Sequence, residues 1–112
     1  MAIAFDSVGD VIVAVVPMNE LDASNSADFK RDVAPLLEAT TKLVFDLSRL
    51  RFVDSSGLGA ILSCLRQLTA KNGDLKLCGL SKQVRAAFEL VRMHRIFDIY
   101  GTKEEAARAF PS

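Results

Sequence analysis

A chain of 112 residues and 12.2 kDa, half hydrophobic and one quarter charged, has the composition of one globular domain spanning residues 1–112, with no room for a second. Fourteen Lys and Arg against fourteen Asp and Glu give a net charge of zero, which argues against an electrostatic grip on nucleic acid. The longest apolar run, Val11 to Pro17, is far short of the roughly 20 residues of a membrane span, and Met1 to Asp6 lacks the basic start and apolar stretch of a secretion signal, so a cytoplasmic protein is expected.

Ile3 to Asp6 alternates weakly and predicts a short strand. Gly9-Asp10 supplies a turn, and Val11 to Val16, continuously apolar and rich in β-branched residues, predicts a strand covered on both faces and paired with the first as a hairpin. Asn19-Glu20-Leu21-Asp22 reads as a polar loop. Ser24, Asn25 and Ser26 are candidate N-caps for a helix whose buried face is Phe29, Val33, Leu36 and Leu37. Pro35 lies inside that pattern and predicts a kink or a break. Leu43 to Leu47 is a third strand. Leu58, Ile61, Leu62, Leu65 and Leu68 form one helical stripe that stops near Asn72-Gly73. Leu75 to Cys78 is a fourth strand. Ser81 caps a helix with an inner face of Val84, Ala87, Phe88 and Val91, Ile96 to Ile99 is a short edge strand, and Thr102 with Glu105 makes a capping box for a last helix ending in Phe110.

The predicted order is ββαβαβαβα. Alternating strands and helices require crossover connections, hence an α/β fold with a small, mixed, mostly parallel sheet, an N-terminal hairpin and helices packed against the sheet. A chain of this length buries roughly two-thirds of its unfolded surface, so its core needs no disulfide or metal. Cys64 and Cys78 fit no metal-ligand spacing and read as reduced core cysteines. With His94 the only histidine, a site of nitrogen and sulfur ligands is not expected.

The segment that departs from local rules is Phe52-Val53-Asp54-Ser55-Ser56-Gly57-Leu58-Gly59. It joins the third strand to the second helix, at the strand end where open α/β sheets gather ligands and partners. Asp54, Ser55 or Ser56 could each cap the helix. Gly57 and Gly59 fall in its first turn, where each costs about 1 kcal/mol relative to Ala. Two such losses suggest close approach by something else, a partner above all, with a tight strand-to-helix turn as the alternative. The segment lacks the third glycine of a dinucleotide fingerprint, the Gly-Lys-Ser/Thr of a phosphate loop and the GxSxG of a nucleophile elbow. Catalysis is therefore not expected, and no cofactor is implied. A phosphate on Ser55 or Ser56 would meet free helix amides and the positive end of the dipole, adding about −1.5 to −2 charges. The residues alone do not choose between the two serines.

Asp54-Ser55-Ser56-Gly57-Leu58-Gly59, preceded by the strand Leu43 to Leu47, closely resembles the signature of STAS domains, and more narrowly of bacterial anti-sigma factor antagonists. Glu20-Leu21-Asp22 is similar to the loop that members carry after their second strand, with Asn19 where glycine is common. The resemblance covers nearly the whole chain. It implies a non-catalytic protein that, when unphosphorylated, sequesters an anti-sigma serine kinase of histidine-kinase-like ATPase fold and so frees a sigma factor. The kinase phosphorylates the first serine of the motif, here Ser55, and a metal-dependent serine phosphatase reverses this. The implied partner surface is Glu20, Asp22, Asp54, Ser56, Gly57, Leu58 and Gly59. The alternative is a non-switching STAS subunit, for example of a lipid-transport ATPase complex; nucleotide binding is a weaker one, since no basic phosphate cradle is present.

Overall fold

The computed structural model describes residues 3–111; Met1 and Ala2, part of the stretch read for a secretion signal, lie outside it, as does Ser112. Gly9, at a left-handed φ of 63° that costs glycine little, turns β1 (Phe5–Val8) into β2 (Val11–Val15) as an antiparallel hairpin. The chain continues through β3 (Glu20–Leu21), α1 (Ser26–Ala39), β4 (Lys42–Asp46), β5 (Phe52–Val53), α2 (Ser55–Thr69), β6 (Asp74–Cys78), α3 (Lys82–Leu90), a 3-10 turn at Met93–Arg95, β7 (Ile99–Tyr100) and α4 (Lys103–Arg108). The main sheet has the order β1-β2-β4-β6-β7, parallel everywhere except in the hairpin. With the two-residue β3 and β5 set apart as a second, parallel ladder, the predicted ββαβαβαβα order is the one observed.

Period-two alternation along the strands divides the core in two. Ala14, Leu43, Phe45, Leu75 and Leu77 face one side, with the buried residues of α1, α2 and α3. Val11, Val13, Val44 and Cys78 face the other, against Ala106 and Ala107 of α4. Both faces of β2 are thus covered, as its unbroken apolar run requires. Cys64 and Cys78 are free and lie in different clusters. Burial pushes each thiol up to about 12, where almost no thiolate exists at neutral pH. Among the described residues no helix is long and apolar enough to cross a membrane.

Several local expectations are corrected. Asn19–Asp22 is not simply a loop, because Leu21 is fully buried and β3 pairs with β5. Two-residue strands carry no readable period. Pro35 neither breaks nor ends α1. It lies on the exposed side, where the carbonyl left without a donor can bond water. Val91 is the C-cap of α3 and 51% exposed, not part of its inner face. Arg92 then adopts a left-handed φ of 63°, and the 3-10 turn redirects the chain. The edge strand therefore begins at Ile99, with Ile96 exposed and Phe97 buried edge-on against Phe88. The Nδ1 of His94, in the 3-10 turn, is buried with no hydrogen-bond partner among the described residues. The last helix ends at Arg108, and Phe110 beyond it packs over the Lys76 ammonium, 4.9 Å from the ring centre.

Candidate functional site

Asp54 leaves β5 with extended backbone and serves as N-cap of α2. Its Oδ1 accepts from the Gly57 amide at 2.9 Å, and its carbonyl accepts from the Leu58 amide at 2.9 Å. Of the three residues that could have capped this helix, Asp54 does so, and Ser55 and Ser56 are left exposed on the first turn. Their amides have no acceptor among the described residues, so two free donors and the positive helix end lie beside two free hydroxyls.

The β3–β5 ladder brings the second predicted segment to the same place. Its register pairs Glu20 with Phe52 and Leu21 with Val53, so Asp22 and Asp54 continue side by side. The second oxygen of Asp54 accepts from the Ala23 amide at 3.3 Å, and the Asp54 amide donates to the Leu21 carbonyl at 3.3 Å. Asp22 accepts at one oxygen from the Ser24 amide and hydroxyl, at 2.9 and 2.5 Å. Asn25, the N-cap of α1, does not cap with its side chain. It accepts instead from the Asp22 amide and donates to the Glu20 carbonyl. Asn19 keeps a negative φ, and its carbonyl accepts from the amides of Arg51 and Phe52 at 2.7 and 3.2 Å. The structure thus brings Glu20, Asp22, Asp54, Ser55 and Ser56 to one end of the sheet, with their backbones tied together.

The two glycines are there for different reasons. A Cβ on Gly57 would collide with the Leu21 carbonyl oxygen and lie 2.7 Å from Val53 Cγ2. The backbone that approaches Gly57 is therefore β3 of this chain, which corrects the expectation of an opening for a partner. Leu58 is likewise in the core, which removes it from the exposed surface. Gly59 is exposed, and a Cβ there would meet nothing within 4 Å. Reading from sequence overlooked β5 and with it the exposed Phe52; the available signal was the adjacent apolar pair Phe52-Val53 between Arg51 and Asp54. Among the described residues, no group of His, Cys, Asp and Glu is arranged to hold a metal ion.

The STAS domain model matches residues 3–106. BtrV of Bordetella bronchiseptica is 29% identical over 111 residues, which are 98% of this chain and 95% of its own. The anti-sigma-B factor antagonist of Bacillus subtilis is 27% identical over 85 residues, 76% of this chain and 78% of its own. The anti-sigma factor antagonist SpoIIAA in its unphosphorylated form superposes with a TM-score of 0.77 at 26% identity, covering 99% of this chain and all of its own. Its phosphorylated form gives 0.70, covering 96% and 97%. The chain belongs to the STAS domain family, among relatives named anti-sigma factor antagonists.

Proposed function

We propose that this protein is a phosphorylation-switched anti-sigma factor antagonist: unphosphorylated, it binds an anti-sigma serine kinase of histidine-kinase-like fold and so releases a sigma factor, and phosphate on Ser55 ends that binding until a metal-dependent serine phosphatase removes it. The observation that carries the reading is the exposed hydroxyl of Ser55 at the first position of α2, directly after the capping Asp54 and beside the Glu20–Asp22 segment. The SpoIIAA relative known in both phosphorylation states supports it. In this reading the protein catalyses nothing and acts through its surface, Glu20, Asp22, Asp54, Ser56 and Gly59 lying around the switch.

Two influences meet a phosphate on Ser55. The helix end attracts an exposed anion by about 0.3–1 kcal/mol. The Asp54 carboxylate repels it by a similar order where water screens the pair. They nearly offset, so the fold should change little. A partner surface shaped for a neutral hydroxyl would instead have to bury a dianion beside a carboxylate, at a cost of several kcal/mol. About 2.8 kcal/mol already lowers affinity 100-fold. The switch therefore works by blocking an interface.

The test is mass spectrometry of the protein isolated from its host, followed by phosphorylation with the purified kinase retained on a Ser55→Ala variant. Phosphate on Ser55, and none taken up by Ser55→Ala, is the expected result. Undiminished incorporation into Ser55→Ala would overturn the assignment.

A further inference from the structure

Phe52 is 53% exposed, as is Phe5 on the outer hairpin strand, whereas Phe29, Phe45, Phe88 and Phe97 are all buried; of the two exposed rings only Phe52 lies beside the Asp54–Ser55 turn. The β3–β5 register imposes this: Leu21 and Val53 turn inward, so their neighbours Glu20 and Phe52 turn outward. A charged side chain in that outward position would be solvated at no cost, and the chain carries phenylalanine. On the N-terminal side of Phe52 are Arg49 and Arg51, both exposed and neither in an ion pair among the described residues. Glu20 pairs with Phe52 across the ladder, and Asp22 and Asp54 follow on its C-terminal side. Exposed aromatic side chains flanked by arginine are the composition of interface centres. Ser55 follows Phe52 by three residues, a span of at most about 10 Å.

We infer that Phe52 is the anchor of this face, and that its occupant is the proposed kinase partner, presenting an apolar pocket bordered by carboxylates that meet Arg49 and Arg51. This rests on the reading of Ser55 as a switch and deepens it. Anchor and switch occupy one short segment, so acidic groups drawn to Arg51 are brought toward Ser55. A phosphate there repels the same groups that the arginines attract.

Calorimetry and association kinetics with the purified kinase test this. Wild type is compared with Phe52→Ala, Phe52→Leu and Arg51→Glu, and thermal unfolding of each variant is measured. The expected result for Phe52→Ala is an affinity at least about 30-fold lower, the scale of an aromatic anchor, with a melting temperature near that of wild type. Phe52→Leu should recover part of the loss. Arg51→Glu should slow association most at low salt. Binding of Phe52→Ala within threefold of wild type, or loss of its fold, would overturn the inference and leave the switch standing. Faster association of Arg51→Glu would overturn the acidic border. Failure of wild type itself to bind the kinase would instead remove the proposed function, and this inference with it.

Discussion

At the Ser55 end of the sheet, the Asp54 carboxylate accepts from two backbone amides, Gly57 and Ala23, that belong to different segments. On the face beneath α4, Lys76 is 6% exposed, its ammonium held between Asp98 at 2.8 Å and Asp74 at 3.1 Å and covered by the Phe110 ring. Both clusters fasten elements that are distant in sequence. Around Lys76, charge is matched by charge: the buried ammonium takes up both carboxylates, although Asp74 and Asp98 are themselves about half exposed. Around Asp54, the carboxylate fixes the backbone, and the hydroxyls of Ser55 and Ser56 remain unused and exposed. A polar cluster whose members satisfy one another is a structural tie, whereas one that fixes its frame and leaves hydroxyls free can take part in chemistry.

The strongest challenge to this contrast is Gly57→Ala. The added methyl would press on the Leu21 carbonyl and Val53, and overpacking of this kind costs about 1–3 kcal/mol. Chemical denaturation should show the loss, and a variant as stable as wild type would mean that β3 is not held against α2. Next is Asp54→Ala, which removes the cap of α2 and the tie to Ala23. A lost cap costs about 0.5–2 kcal/mol, and hydrogen exchange should quicken at both Gly57 and Ala23. Quickening at Gly57 alone would separate the two segments.

Lys76→Met should cost about 1 kcal/mol at neutral pH, because both aspartates are about half exposed and water screens the pairs. Burial, the largest single influence on Lys76, favours the neutral amine. The hydrogen bonds to Asp98 and Asp74 together outweigh it and hold the pKa above the usual lysine value. A raised folded pKa gives stability that is complete below the unfolded value near pH 10.4 and is lost as pH rises through the folded one. The gap between wild type and Lys76→Met should therefore close in strong alkali, and a gap independent of pH would count against the ion pairs. The smallest effect has the opposite sign. Gly59→Ala meets open space and should stabilise by about 0.5–1 kcal/mol through helix propensity and a restricted unfolded chain, with any loss of binding to the proposed kinase partner then belonging to the surface itself.

The legible parts of the site were those written in adjacent residues. Asp54 three residues before Gly57 is a local capping pattern, and the exposure of Ser55 follows from its place in the first turn. The reason for Gly57 was not legible, since the atom it must avoid is the carbonyl of Leu21, remote in the chain. Phe52 was missed for the same reason: whether it faces in or out depends on its register with Glu20.

By itself the sequence determined the hairpin, the strands β2, β4 and β6, the buried stripe of α2 and the caps at Ser81 and Thr102. Each depends on period, propensity or a hydrogen bond reaching about one turn, and these act within a window of a few residues. Tertiary structure alone decided the β3–β5 ladder, the continuity of α1 through Pro35, the exposure of Val91 and the burial of Lys76 beneath Phe110. In each case the outcome depends on which distant group, or water, lies against the residue, and only the packed chain supplies that neighbour.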